Sequence, residues 1–161
     1  MKIKMLVMDV DGTLTDGKIY MGQSGEIFKA FNIKDGYGIH DILIPAGIIP
    51  VIITGRRSAI VENRGRELGI EEIHQGIACK TQKMQEVTRK FNLELSNVAY
   101  IGDDLNDIEC MRLIKDSSGI VGCPSDAVKE VRQISDFVAA AVGGNGAVRE
   151  FIEFLTAGGE G

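Results

Sequence analysis

A nearly continuous apolar run that leads into two aspartates restricts the folds open to this chain. Residues 3–8 are apolar except for Lys4, and Asp9 and Asp11 follow directly. Such a run is typical of a strand buried on both faces, as found in parallel sheets covered by helices. Ligands of open α/β sheets bind just outside the carboxyl ends of the strands. The sequence therefore predicts a buried strand with two acids at the mouth of a site.

Asp9 and Asp11 are close enough in sequence to repel each other when both are ionised. A cation or a shared proton must offset that charge. Mg²⁺ prefers hard oxygen ligands and is the cation that fits best. Gly12 follows and allows the backbone to turn sharply away from the strand. The alternative is an ordinary acidic turn after an edge strand, so the metal site depends on partners further along the chain.

Composition excludes several classes of protein. The chain has 161 residues, 44% hydrophobic and 25% charged, which predicts a single soluble domain. Its net charge of −5 argues against nucleic acid or an anionic membrane surface as a partner. No apolar run approaches a membrane span, and the strand begins too early to leave room for a signal peptide. The three cysteines lack metal-site spacing and suit a reducing compartment, so we expect a cytoplasmic protein.

Strands and helices alternate along the chain. This alternation predicts an α/β fold with a doubly wound, mostly parallel, Rossmann-like sheet. After the first strand, residues 18–21 and 26–31 predict a β-hairpin around a four-residue turn at 22–25. Further strands are expected at 48–53, 71–74, 97–101, 119–121 and 136–138, and helices at about 36–44, 58–68, 81–91, 107–115, 126–132 and 147–155.

Four strand ends carry polar residues at the edge of the sheet where α/β proteins place their sites. In chain order these residues are Asp9 and Asp11, then Thr54, then Lys80, then Asp103, Asp104 and Asp107. Each has an ordinary explanation on its own, such as a helix cap or a solvated lysine. Together they supply a nucleophile, a proton-transfer group, metal ligands and a fixed positive charge. Phosphoryl transfer requires that combination.

The same stretches resemble the four motifs of haloacid dehalogenase-like phosphatases. The matching segments are Asp9-Val10-Asp11-Gly12-Thr13-Leu14-Thr15, Thr54-Gly55-Arg56, Lys80, and Gly102-Asp103-Asp104 with Asp107. The resemblance implies that Asp9 attacks phosphorus and becomes an aspartyl-phosphate. It implies that Asp11 protonates the leaving alkoxide and then activates water, while Thr54 and Lys80 hold the phosphoryl oxygens.

The resemblance also implies an Mg²⁺ site. Asp9, the main-chain carbonyl of Asp11, and Asp103 would bind the ion, with Asp104 and Asp107 supporting them. The ion would provide the local positive charge that an acidic chain needs in order to handle a phosphate.

The motif spacing leaves no room for a separate cap domain. Residues 12–53 are used by the hairpin and a helix, and the interval 55–79 is shorter still. Cap-less members of the family either act on macromolecules through an open site or cover the site with a neighbouring subunit.

Three further stretches favour the second option, because 31–36, 55–69 and 143–150 are similar to 3-deoxy-D-manno-octulosonate 8-phosphate phosphatases. These are homotetramers with active sites at subunit interfaces, and they imply a small-molecule sugar-acid phosphate as substrate. The implied substrate contacts are Thr13, Lys34, Asp35, Gly55, Arg56, Arg64 and Arg149. Asn145 stands where many such enzymes have a basic residue, which leaves a nine-carbon sugar-acid 9-phosphate open as the alternative.

Two other expectations complete the sequence-based interpretation. The apolar residues of the hairpin predict an intersubunit contact, and the glycine-rich segment 143–146 predicts a flap over a neighbouring site. A phospho-accepting receiver domain is the alternative from a different class. It needs its acceptor aspartate after a middle strand, where this chain has Thr54 and Gly55, so the motif order argues against it.

Overall fold

The structure, a computed structural model, describes residues 2–158. Within these residues, six parallel strands form one sheet. The strands are β1 (Met5–Met8), β2 (Tyr20–Gly22), β3 (Gly25–Phe28), β4 (Ile49–Ile53), β5 (Glu72–His74), β6 (Val98–Ile101), β7 (Ile120–Cys123) and β8 (Phe137–Val138). The order in the sheet is β5-β4-β1-β6-β7-β8, and β2 pairs with β3 in a separate antiparallel hairpin. The predicted parallel α/β fold is confirmed.

Helices cover both faces of this sheet. They are α1 (Ile33–Tyr37), which continues into a π-helical segment (Gly38–Leu43), α2 (Ala59–Glu67), α3 (Lys80–Lys90), α4 (Ile108–Asp116), α5 (Lys129–Ile134) and α6 (Ala147–Ala157). Leu6 and Met8 of β1 belong to the core that includes α2 and α6, whereas Met5 and Val7 belong to the core that includes α3, α4 and α5. The strand is fully buried on both sides, as its apolar run predicts. Within the described residues, none of these helices has the length and apolar character needed to cross a membrane.

The position of β1 in the sheet determines which loops meet. Met8 pairs with Ile52 of β4 on one side and with Ile101 of β6 on the other. Because all three strands run in the same direction, the residues that follow them emerge at one edge. Asp9, Thr54 and Asp103 therefore come from neighbouring loops, although they are far apart in sequence.

The hairpin has a tighter turn than the sequence pattern predicts. Gly22 pairs with Gly25, so the turn consists of Gln23 and Ser24, and the predicted four-residue turn is wrong. Gly25 has a φ of +122°, a conformation that L side chains rarely adopt, and this lets the chain re-enter the ladder at once. The register shifts between Tyr20 and Met21, which marks a bulge.

The glycine-rich segment 143–146 is bound to its own chain. The Gly144 N–H donates to the Thr13 carbonyl at 3.1 Å. A Cβ placed on Gly143 would lie 1.9 Å from the Gly12 carbonyl oxygen, so only glycine allows the two backbones to approach this closely. Within one chain this segment therefore packs against the loop after β1, and its closure over a neighbouring site stays a prediction.

Asp35 anchors the start of α6. The residue is 1% exposed, and its carboxylate accepts hydrogen bonds from the Gly146 N–H at 3.3 Å and the Arg149 N–H at 3.0 Å. The first N–H groups of a helix have no partners within the helix, and Gly146 has no side chain to cap them. Asp35 supplies that cap from a segment more than 100 residues away in sequence. The structure therefore gives Asp35 a role in holding α6, whereas the sequence resemblance implies a substrate contact.

We predict that Asp35→Ala lowers the free energy of unfolding by about 1–3 kcal/mol, because it leaves buried helix N–H donors without an acceptor. Urea denaturation monitored by circular dichroism measures the change. Asp41→Ala is the matched control, since Asp41 lies on the surface and pairs with the exposed His40. Equal effects of the two substitutions would contradict the capping role.

Candidate active site

Lys80 connects two buried carboxylates at the centre of the site. Its Nζ donates to Asp9 Oδ1 at 3.0 Å and to Asp107 Oδ1 at 2.9 Å. The side chains of Lys80 and Asp9 are each 6% exposed, and that of Asp107 is fully buried. Three segments contribute to this contact: the end of β1, the first residue of α3 and the loop before α4.

Asp107 organises the loop that follows β6. Its Oδ1 also accepts the hydroxyl of Tyr100 at 2.6 Å, and its Oδ2 accepts the backbone N–H groups of Asp103 at 3.0 Å and Asp104 at 3.2 Å. A carboxylate offers about four lone-pair sites, so the donors found among the described residues occupy Asp107 completely. This arrangement agrees with the supporting role that the sequence resemblance implies.

Burial and mutual repulsion perturb the acids of this cluster. Burial raises the pKa of Asp9 to about 6, with the charge of Asp107 adding to the rise and Lys80 opposing it. Burial, then the charges of Asp9 and Asp107, raises the pKa of Asp103 to about 8. Burial alone would lower the pKa of Lys80, but its two carboxylate partners outweigh that effect and raise it. The cluster therefore holds more negative charge than one ammonium can balance.

The donor set fits a divalent cation that prefers oxygen. One carboxylate oxygen from each of Asp9, Asp103 and Asp107 lies within 4.8 Å of the others. Because Asp107 is already saturated by hydrogen bonds, Asp9 and Asp103 are the carboxylates left to bind an ion. Gly12 has a φ of +88°, and a Cβ there would lie 2.0 Å from Asp103 Oδ2, so the turn brings that carboxylate against bare backbone.

Thr13 and Asp104 support the same loops. The buried Thr13 hydroxyl donates to Asp103 Oδ1 at 3.0 Å, which orients one oxygen of this carboxylate. The exposed Asp104 accepts the Leu105 N–H at 2.7 Å and caps the helical turn before α4.

Asp11 turns towards the hairpin. Its Oδ1 accepts Lys29 Nζ at 2.6 Å, and the same Nζ donates to Glu26 Oε2 at 3.0 Å. Sequence reasoning missed Lys29 as well as Tyr100. A polar residue between Phe28 and Phe31 was the available signal for Lys29, but it also matches a solvated strand residue.

The residues after β4 border a separate opening beside Lys80. Thr54 is buried, and Gly55 lines a cavity of about 370 Å³ together with Lys80 and Cys79. Arg56 is exposed at this end of the sheet. The structure thus brings Thr54, Gly55 and Lys80 to one edge, as their positions after the strands predict.

The remaining substrate candidates line other cavities. Asp35 and Arg64 border a small pocket between α1 and α2, and Lys34 and Arg149 border an open one with Tyr37. Arg64 Nη1 donates to Glu67 at 2.8 Å, while its buried Nε has no hydrogen-bond partner among the described residues.

Arg149, a cation in the first turn of α6, is accommodated locally. Its Nε donates to Glu153 at 2.6 Å, and its guanidinium lies 5.1 Å from the Tyr37 ring centroid. These contacts lie within one chain and compensate for the unfavourable helix dipole.

Comparison with known proteins assigns the chain to one family. The sequence model for haloacid dehalogenase-like hydrolases matches residues 67–152, and the chain belongs to that family. The chain is 42% identical to the 3-deoxy-D-manno-octulosonate 8-phosphate phosphatase KdsC of Escherichia coli strain K12, over 95% of this chain and 79% of the relative. The KdsC of Yersinia pestis is 40% identical over the same shares.

Solved structures agree with this assignment. A phosphatase of the same description from Moraxella catarrhalis, crystallised with magnesium, phosphate and KDO, matches with a TM-score of 0.90 and 42% identity. The match covers 97% of this chain and 87% of that one. A cobalt-bound deoxy-D-mannose-octulosonate 8-phosphate phosphatase from Haemophilus influenzae matches with a TM-score of 0.90 at 32% identity, over 97% and 88% of the two chains.

We predict that the metal-free protein loses stability as the pH rises from about 4 to about 8. Asp9 and Asp103 hold protons more tightly in the folded state, where their pKa values are about 6 and about 8, than in the unfolded chain, where they are near 3.8. Their contribution is therefore complete at low pH and lost as they ionise.

Asp103→Asn removes one of these buried charges. In EDTA at pH 8 the variant should be more stable than wild type by about 1–3 kcal/mol, and the difference should shrink at pH 5. Thermal unfolding across this pH range measures it. Asp116→Asn is the control, because Asp116 is exposed at the far end of α4, away from the cluster. A stability difference that does not change with pH would count against the raised pKa of Asp103.

Proposed function

We propose that this protein is an Mg²⁺-dependent phosphomonoester hydrolase that acts on 3-deoxy-D-manno-octulosonate 8-phosphate. The observation that carries the proposal is the buried contact of Lys80 with Asp9, which follows β1. Asp103, which follows the neighbouring strand β6, lies beside this contact. The relatives described above are named for this substrate, which favours it over a nine-carbon sugar-acid 9-phosphate. Membership of the hydrolase family argues against a receiver domain.

Asp9 is the nucleophile in this proposal. Lys80 holds its Oδ1, which leaves Oδ2 to attack phosphorus. The new bond between Asp9 and phosphorus forms as the ester P–O bond breaks, and Asp11 gives a proton to the departing alkoxide. Water then attacks the phosphorus of the aspartyl-phosphate and gives a proton back to Asp11. The bond between Asp9 and phosphorus breaks, which releases phosphate and restores the Asp9 carboxylate.

Fixed positive charge and oriented donors stabilise the transferring group. Lys80 and Thr54 lie at the sheet edge where they can hold phosphoryl oxygens. Asp9, Asp103 and the main-chain carbonyl of Asp11 would hold Mg²⁺, and the ion would supply positive charge to the phosphoryl group. Asp107 and Asp104 keep this loop in place through their hydrogen bonds.

Basic residues outside the cluster would recognise the sugar acid. A guanidinium matches a carboxylate in geometry and charge, so the exposed Arg56 and the partly exposed Arg64 are the candidates to bind it. Lys34 and Arg149 border a separate open cavity, so they would reach a substrate only at the site of a neighbouring subunit. We therefore propose a homotetramer with intersubunit sites, and the free cysteines suit the reducing cytoplasm.

We predict that the protein hydrolyses 3-deoxy-D-manno-octulosonate 8-phosphate with Mg²⁺, and that EDTA abolishes the activity. Asp9→Asn should reduce kcat by about 10³-fold or more, because the amide keeps the shape of the side chain but is no nucleophile. Phosphate release measures the activity, and circular dichroism checks the fold.

Asp116→Asn, at the far end of α4, is the control and should leave kcat unchanged. A nine-carbon sugar-acid 9-phosphate and an aryl phosphate complete the substrate panel. The proposal fails if wild type with Mg²⁺ hydrolyses none of these phosphates, or if Asp9→Asn keeps a tenth of the activity.

We also predict a tetramer that depends on the hairpin. Met21 and Ile27 are 61% and 63% exposed, and Phe28 is 48% exposed, which is unusual for large apolar residues grouped on one small hairpin. Ile27→Glu should dissociate the assembly, as measured by light scattering at micromolar concentration. Val138→Glu introduces the same charge on the outermost strand, β8, and should leave the assembly intact. A wild-type monomer would end the idea of an intersubunit site.

A further inference from the structure

Lys29 is a buried cation that joins the hairpin to the proposed acid/base. Its side chain is 2% exposed, and its Nζ lies 2.6 Å from Asp11 Oδ1 and 3.0 Å from Glu26 Oε2. The side chains of Asp11 and Glu26 are 22% and 14% exposed. Lys29 follows β3 directly. Its contact with Asp11 joins residues 18 positions apart in the sequence.

Stability alone is a poor explanation for a lysine in this place. Burying an ammonium removes it from water at a large desolvation cost, and a buried ion pair is often no more stabilising than apolar residues of similar volume. The hairpin already has apolar residues on either side of Lys29, with Phe28 before it and Ala30 and Phe31 after it. This position nevertheless holds a buried ammonium, and one of its two partners is the carboxylate that must exchange protons.

The geometry of the contact selects one oxygen of Asp11. Lys29 has donors and no acceptor, so it bonds Oδ1 whether Asp11 is ionised or protonated, since a protonated carboxyl keeps an acceptor oxygen. With Oδ1 engaged in this way, the proton that Asp11 carries resides on Oδ2. Because Asp11 is partly exposed, Oδ2, which Lys29 does not bind, is the oxygen left for the leaving group and the attacking water.

We infer that Lys29 is a positioning residue that holds Asp11 for proton transfer. The inference rests on the proposed function, because it assigns Lys29 a role in the same reaction. Glu26 is the second acceptor of the ammonium and keeps Lys29 aligned from within β3. The hairpin thereby acts on the chemistry through one buried side chain.

Lys29→Met tests this role, because methionine has a similar length without the charge. With the sugar-acid phosphate, kcat should fall about 10- to 100-fold while KM changes little, since acid/base positioning matters in the transition state. An aryl phosphate separates formation of the aspartyl-phosphate from its hydrolysis. When the phenol has a low pKa, the phenolate departs without needing a proton from Asp11. Rapid-mixing experiments should therefore show a burst of about one phenolate per site, followed by slow turnover as water attacks the aspartyl-phosphate without a well-placed base.

Two further variants complete the test. Lys29→Arg keeps a cationic donor beside Asp11 and should recover at least part of the lost kcat, and Lys83→Met removes a lysine from a surface pair with Glu86 and should change nothing. Thermal unfolding and light scattering are measured for every variant.

Wild-type kcat in Lys29→Met would overturn the inference. So would loss of the burst together with the steady-state rate in both Lys29 variants, which would mean that the residue only maintains the fold. If wild type itself hydrolysed no phosphate ester, the proposed function would fail first, and that outcome is distinct from either result.

Discussion

The contact of Lys80 with Asp9 and Asp107 is the interaction on which the site depends. One ammonium holds two buried carboxylates that would otherwise repel each other, and in doing so it ties together the end of β1, the start of α3 and the loop before α4. Removal of Lys80 would leave both carboxylates without their cation in a place with little access to water. The charge that remains on Asp9 and Asp103 is what a cation would balance.

Close backbone approach gives this charged cluster its shape. Gly12 lies against the carboxylate of Asp103 on one side, and its carbonyl meets Gly143 on the other. A side chain at either glycine would push the loop after β1 away from its neighbours. The glycine segment before α6, itself held by Asp35 at the start of that helix, therefore acts as a brace for the loop that carries the proposed acid/base.

In the proposed tetramer, the hairpin would connect assembly to chemistry. Its outer side exposes Met21, Ile27 and Phe28, whereas Lys29 just beyond it is buried against Asp11. A surface that covers the hairpin would also restrict Lys29. In a cap-less phosphatase, such coupling would link the formation of the intersubunit site to the orientation of the group that transfers protons.

The sequence by itself determined the parallel α/β sheet, the buried first strand and the polar residues at four strand ends. These follow from local patterns, since an apolar run, a turn glycine and a strand-end acid each describe their own surroundings. The tertiary structure alone decided that Lys29 meets Asp11, that Tyr100 supports Asp107, that Asp35 caps α6 and that the glycine loop is held within its own chain. Each of these depends on which distant segments pack together, and sequence periodicity carries no information about that.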